Sequence, residues 1–202
     1  VTVTQGKLEG LSLTSVDLAG DADYITVADA AGLSFGDGSD DSAFSVSAWV
    51  RADDWSDFPI ITKGLYNSTG EWGFQTFSDD KLYLLLMDES VSTTQEYIYT
   101  TAVMTAYQDK WIHVVGTYNG VGGTSANAGL NLYIDGVAPA TTLGGSGTYV
   151  AMENLAAPVE IGKYNSAYAN GEIRDVKMFD YELSADQVSS LYSGSYNVTP
   201  LY

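Results

Sequence analysis

Apolar and polar side chains trade places at every second position through Phe44-Ser45-Val46-Ser47-Ala48-Trp49-Val50-Arg51, and again through Leu130-Asn131-Leu132-Tyr133-Ile134. A period of two belongs to an extended chain with one buried face. Trp111 to Tyr118 reads the same way, and it ends at Asn119-Gly120, as the 130s run ends at Asp135-Gly136. Both dipeptides close antiparallel hairpins. Further β-prone runs cover Tyr24 to Val27, Pro59 to Thr62, Trp72 to Phe77, Leu82 to Met87, Tyr97 to Ala102, Val159 to Ile161 and Gly171 to Phe179, with Gly, Asn, Asp and Ser between them. Residues 1 to 16 read as one or two edge strands.

About a dozen short strands are too many for one open twisted sheet, which predicts an all-β fold: a two-sheet antiparallel β-sandwich of the jelly-roll kind. Gly120 to Gly129 and Gly144 to Thr148 read as small-residue loops. One short C-terminal helix is expected. Ser184 caps it, Gln187 completes a capping box, Leu183 and Val188 form a hydrophobic staple, and Gly194 closes the end. No fixed-period repeat and no linker divides the 202 residues, so a single domain over 1–202 is expected, with its core from about 17 to 193.

Charge narrows the list of partners. Eight Lys+Arg stand against 26 Asp+Glu, a net charge of −18, and a chain so poor in clustered cations is expected to repel nucleic acid and acidic membrane surfaces. No run of about 18 apolar residues occurs, so membrane insertion is not expected. Without Cys, disulfides and thiolate chemistry are absent, which leaves secretion open for a chain with a large core. Val1 in place of an initiator Met reads as a mature form or excised domain, soluble as written. Asn67-Ser68-Thr69 and Asn197-Val198-Thr199 match the glycosylation acceptor pattern. Most acidic residues are loop Asp, which either cap turns or hold a hard cation; Asp37-Gly38-Ser39-Asp40-Asp41 and Asp53-Asp54-Trp55-Ser56-Asp57 are the candidate calcium loops, with Trp55 beside the second. Neither has EF-hand spacing.

Matched segments in order from Asp17 to Ser193 resemble the laminin G-like, concanavalin A-like lectin/glucanase jelly-roll family. They are Asp23-Tyr24-Ile25, Phe44-Ser45-Val46-Ser47-Ala48-Trp49-Val50, Lys63-Gly64, Trp111-Ile112-His113-Val114, Leu132-Tyr133-Ile134-Asp135-Gly136 and Gly171-Glu172-Ile173-Arg174-Asp175-Val176. The resemblance implies a binding fold whose concave sheet carries ligands. One departure stands at Arg174, where many relatives place an Asp that helps hold a structural calcium. A guanidinium there is expected to take the cation's place on the same carbonyls or on Asp21 and Asp23.

Placing Trp49, Arg51 and Tyr83 on one concave sheet makes them a groove for sugar rings, which offer C–H faces to aromatics and hydroxyls to polar groups. The alternative for Trp49 is burial under a loop or the terminal helix. Arg51 and Lys63, scarce cations, either pair with loop Asp or read an anionic sugar. The sole His, His113, is expected to have a packed or hydrogen-bonded structural role. The ligand-binding candidates are therefore Trp49, Arg51, Lys63, Tyr83 and Trp55. No Glu-x-Asp-x-x-Glu strand and no Gly-x-Ser-x-Gly elbow occurs, so catalysis is not expected. Two roles remain: a non-catalytic carbohydrate-binding or adhesion module of a secreted, cell-surface or virion protein, with a glycan or glycoprotein partner and calcium as a candidate ion; or a structural surface protein that assembles with neighbouring subunits through its N-terminal strand and its tail Tyr196 to Tyr202.

Overall fold

The computed structural model describes residues 2–3, 15–91 and 94–194. Two sheets face each other across the core. In chain order the strands are β1 (Thr2–Val3), β2 (Val16–Ala19), β3 (Ile25–Val27), β4 (Phe44–Ala52), β5 (Pro59–Lys63), β6 (Trp72–Thr76), β7 (Leu82–Asp88), β8 (Thr94–Thr100), β9 (Ile112–Tyr118), β10 (Leu130–Ile134), β11 (Thr141–Ser146), β12 (Val159–Ile161), β13 (Lys163–Tyr164), β14 (Ala167–Tyr168) and β15 (Asn170–Phe179). The larger sheet runs β1-β3-β12-β5-β6-β7-β8-β11 and the smaller β10-β9-β4-β15-β2, while β13 and β14 form a separate hairpin. The sandwich expected from the sequence is what forms, antiparallel except where β1 lies parallel to β3.

Alternation explains the core. Phe44, Val46, Ala48 and Val50 of β4 face Leu82, Leu84 and Leu86 of β7 and Trp72 and Phe74 of β6 in one buried cluster. Removing these side chains from water is the main force holding the layers together. A second, smaller core lies on the other side of the five-stranded sheet, where Val115 and Phe179 pack under Leu183, Val188 and Leu191. Those last three belong to the helix α1 (Ala185–Ser193) and its entry. Both halves of the expected capping box are present, with Ser184 Oγ accepting from Gln187 N and Gln187 Oε1 accepting from Ser184 N, and Gly194 ends the helix at φ 75°.

Three elements differ from the sequence reading. Thr141–Ser146, whose second half falls in the expected Gly144 to Thr148 loop, is the edge strand β11. Its glycines are there because β8 leaves no room above them: a Cβ on Gly144 would lie 2.4 Å from the Tyr97 ring, and one on Gly145 would lie 2.6 Å from the Glu96 carboxylate. The hairpin β13–β14 is too short to show a period. Strand β15 carries a register shift between Arg174 and Lys177, with Asp175 at φ 51°, so alternation through it breaks. The expected glycosylation site at Asn197 and the assembly tail Tyr196 to Tyr202 lie outside the described residues, as do most of residues 1 to 14.

Candidate functional site

The outward face of the eight-stranded sheet is built from paired rows. Strand registers place Glu160, Thr62, Gly73, Leu85, Tyr97 and Gly144 side by side across six strands. The next row holds Gln75, Tyr83, Tyr99 and Thr142. Alternation on β7 and β8 sends Leu84 and Ile98 to the core, so Tyr83, Tyr97 and Tyr99 emerge together on the other side, half-buried.

Their rings form one cluster. Tyr83 and Tyr99 stack with centroids 4.9 Å apart at 18°, Tyr97 lies 5.9 Å from Tyr83, and Phe77 meets Tyr83 edge-on at 5.0 Å. Lys81 Nζ sits 5.0 Å over the Tyr99 ring. The Tyr83 hydroxyl donates to Asp79 Oδ2 at 2.9 Å, and burial together with that carboxylate holds its pKa above the ordinary phenol value. In the middle of the sheet Gly73 leaves the floor low. Gly73 is itself buried, and a Cβ there would meet Leu85, Thr62 and Gln75 at ordinary contact distances of 3.5 to 3.9 Å. At the far end Glu160 pairs with Lys163 at 2.8 Å, and Lys163 Nζ lies 4.2 Å over the Tyr24 ring. Beside this pair opens a cleft of about 240 Å³ lined by Gly64, Leu65, Thr69, Ala156, Ala157 and Pro158. The result is a shallow track with aromatic walls, about 19 Å from β12 to β8 at an inter-strand spacing of about 4.8 Å.

Trp49 and Tyr83 do not share this track. Trp49 is on β4 of the five-stranded sheet and Tyr83 on β7 of the other, so their outward faces point to opposite sides of the sandwich. Parity along a strand fixes a residue's face but not its sheet, and the expected joint groove fails on that point. Trp49 lies under the terminal helix, stacked on Tyr192 at 5.8 Å and beside His113 at 5.3 Å. Arg51 is on the same side, its Nε and Nη2 donating to Glu172 Oε1 at 2.9 and 2.7 Å, with Asp53 at 3.5 Å.

Lys63 is wholly buried. Its ammonium donates to Asp29 Oδ1 at 2.6 Å and to the Ala157 carbonyl at 2.7 Å, and lies 3.2 Å from the equally buried Glu71. No bound sugar can reach it, so its expected place in a binding groove is withdrawn. Trp55 is also withdrawn from the rim. It is fully buried and packs on Phe58 at 5.5 Å.

In the candidate calcium loops Asp37, Asp41 and Asp54 bond to the chain itself. Asp37 Oδ1 accepts from Ser39 N and Asp40 N, and Asp54 Oδ1 accepts from Ser56 N. Asp41 accepts from the Tyr118 and Tyr149 hydroxyls and from Met152 N. Among the described residues no group of three or more His, Cys, Asp or Glu is placed to hold a metal. Arg174, expected on Asp21 and Asp23, instead lies over two indoles, Trp111 at 4.4 Å and Trp49 at 5.3 Å.

The two-layer architecture, the helix and the ordered segments agree with a single family. Residues 19–189 match the Laminin_G_3 family of the concanavalin A-like lectin/glucanases superfamily. The chain belongs to that family. Among solved structures it is similar to the binding domain of botulinum neurotoxin serotype D, with a TM-score of 0.62 and 19% identity over 94% of this chain and 44% of that one. It is also similar to the serotype G binding domain, at TM-score 0.59, 19% identity, 88% and 42%. A third is the binding domain of botulinum neurotoxin DC in complex with SialylT, at TM-score 0.52, 20% identity, 77% and 36%. At such identities the likeness is one of fold, and the chain spans less than half the length of each of these. No curated protein matches it.

In this Laminin_G_3 chain the single histidine is a packing residue, as the sequence suggested. His113 is 2% exposed, its Nε2 lies 2.8 Å from Ser47 Oγ, and its backbone amide donates to Asp135. Burial, and then the charge of Lys177, lower its pKa to about 4, against a smaller opposing pull from Asp175. The unfolded chain therefore binds a proton there that the native chain refuses, and the histidine's contribution is lost as pH falls from about 6.5 towards 4. Urea unfolding of wild type and His113→Gln at pH 7 and pH 5 checks this: the wild type loses more stability on acidification than the variant does.

Proposed function

We propose that the chain is a non-catalytic carbohydrate-binding module that holds its ligand on the outward face of the eight-stranded sheet. The observation that carries this is the track itself: three clustered half-buried tyrosines, Tyr83 and Tyr99 stacked and Tyr97 tilted against both, beside Gly73, with the phenol hydroxyls and Glu160 as its polar groups. Tyrosine rings offer flat apolar area to the C–H faces of a sugar, while phenol hydroxyl and carboxylate groups take its hydroxyls. The length of the track suits an oligosaccharide over a monosaccharide. Glycoside hydrolysis needs two carboxyl groups about 5 to 10 Å apart across the scissile bond. In the two rows of this track Glu160 is the one carboxylate, and Lys163 neutralises it.

Membership of a lectin-like family and the fold shared with toxin binding domains support the same reading. So does the complex of one such domain with SialylT. A glycan partner places the module outside the cell or on a surface; among the described residues no helix is long and apolar enough to cross a membrane. A glycan array spanning plant, algal, bacterial and animal saccharides, probed with wild type and with Gly73→Leu, tests the proposal. Wild type gives a set of hits that Gly73→Leu erases, with the variant's thermal midpoint measured alongside, because the added side chain crowds the row between Thr62 and Leu85 on which the ligand would lie. Silence of the wild type across the array contradicts the proposal.

A further inference from the structure

Arg174 is anomalous in a chain with 26 acidic and 8 basic residues. Arg51, Lys63, Lys81 and Lys163 each lie within 4 Å of a carboxylate. Arg174 has no carboxylate within 4 Å and no hydrogen bond among the described residues, its buried Nε finds no acceptor, and its charge acts on Glu172 only at longer range, as the smallest of the pulls that lower that carboxyl's pKa. Glu172, two residues before it, is already held by Arg51 and by the Ser15 hydroxyl. What Arg174 has is aromatic: its guanidinium lies 4.4 Å from the Trp111 ring and 5.3 Å from Trp49, and Trp49 is backed by the exposed Tyr192.

Indole faces stabilise a guanidinium without satisfying any of its N–H groups. A guanidinium lying against aromatic rings keeps its outer N–H groups free to donate in parallel to two oxygens of one anion. We propose that Arg174, held between Trp111 and Trp49 on the five-stranded sheet, is an oxyanion-binding site for the carboxylate or sulfate ester of an acidic saccharide. That the oxyanion is carried on a sugar rests on the carbohydrate reading above. The site lies on the opposite side of the sandwich from the tyrosine track, whose own charged groups, Asp79 with Lys81 and Glu160 with Lys163, are paired among themselves. One module then reads two chemical features of a polysaccharide, neutral rings on one face and acidic groups on the other.

The indole N–H signals of the four tryptophans in a ¹⁵N-correlated spectrum, assigned with Trp49→Phe and Trp111→Phe, give the readout. Three probes are titrated at constant ionic strength: an oligogalacturonate, a sulfated galactan oligosaccharide, and the uncharged galactan oligosaccharide. Either or both acidic probes shift Trp49 and Trp111 saturably and leave Trp55 and Trp72 in place, while the uncharged one leaves all four unmoved; the comparison of carboxylate with sulfate names the group preferred. Arg174→Lys keeps the charge but not the fork, and weakens the response about tenfold or more. An equal response to the uncharged probe, no response to either acid, or full binding by Arg174→Lys overturns the inference. Because Gly73→Leu leaves the indole response intact, failure at Arg174 and failure of the tyrosine track are read separately.

Discussion

Lys63→Met will lower the unfolding free energy by about 3 to 5 kcal/mol, the usual effect of removing one partner from a buried ion pair. The ammonium is completely enclosed, and so is the Glu71 carboxylate 3.2 Å away. Without it Glu71 keeps the hydrogen bond from Leu155 N but faces the interior as an uncompensated charge, and the Ala157 carbonyl loses its donor. Burial already raises the Glu71 pKa, against the opposing pulls of the Leu155 amide and of Lys63. Removing Lys63 raises it further. A carboxyl whose native pKa lies above the unfolded value loses stability as pH rises from about 4.5 through the native value, so the deficit of Lys63→Met is largest at neutral pH and shrinks in acid. Urea midpoints at pH 7 and pH 4.5 measure both parts. In Lys63→Met/Glu71→Gln much of the loss returns, because the amide still accepts from Leu155 and carries no charge.

Asp41→Ala has an effect of similar size for a different reason. The hydroxyls of Tyr118 and Tyr149, both buried, donate to Asp41 Oδ2 at 2.7 and 2.8 Å, and Met152 N donates to Oδ1 at 2.8 Å. Truncation strands three donors inside the fold at about 1 to 3 kcal/mol each, partly relieved by water entering the vacated space, and a total near 4 kcal/mol is expected in urea unfolding at pH 7. Asp41→Asn, which keeps an acceptor oxygen, loses clearly less. The comparison separates a hydrogen-bond anchor from a calcium ligand, the other role the loop's carboxylates suggested: for an anchor, added calcium leaves the order of wild type, Asn and Ala unchanged.

The layers of the fold are legible in the sequence because period-two alternation is written strongly in β4 and β10 and the hairpin turns after β9 and β10 carry glycine. The helix is legible because Ser184, Gln187 and Gly194 each do one local job. Lys63-Gly64 illustrates where local reading stops. Gly64 sits at φ 73° with a hypothetical Cβ 1.7 Å from the Thr69 carbonyl oxygen, and Lys63 beside it is buried by Asp29, Leu155 and Ala157, residues up to 94 positions away. Charge scarcity marked Lys63 as notable but could not say which side of the sheet would enclose it.

The tyrosine face shows the same limit. Tyr83 was visible from the alternation of β7, whereas Tyr97 and Tyr99 needed the parity of β8, and Gly73, Gln75, Thr62 and Glu160 become neighbours only through the registers of β12, β5, β6 and β7. Of the two readings the sequence leaves open for Trp49, the shared groove with Tyr83 fails and burial under the terminal helix holds. What decides company is sheet order, in which β4 lies between β9 and β15, and sheet order is a property of long-range pairing.

The most direct measurement is the affinity of the strongest neutral glycan from the array for Tyr97→Ala and Trp49→Ala, each compared with wild type by calorimetry. If the tyrosine face of the eight-stranded sheet is the binding surface, Tyr97→Ala loses about tenfold or more, the worth of about 1.4 kcal/mol of stacking, while Trp49→Ala binds as wild type does. Loss of binding in Trp49→Ala with Tyr97→Ala unaffected contradicts the account and moves the ligand to the other side of the sandwich.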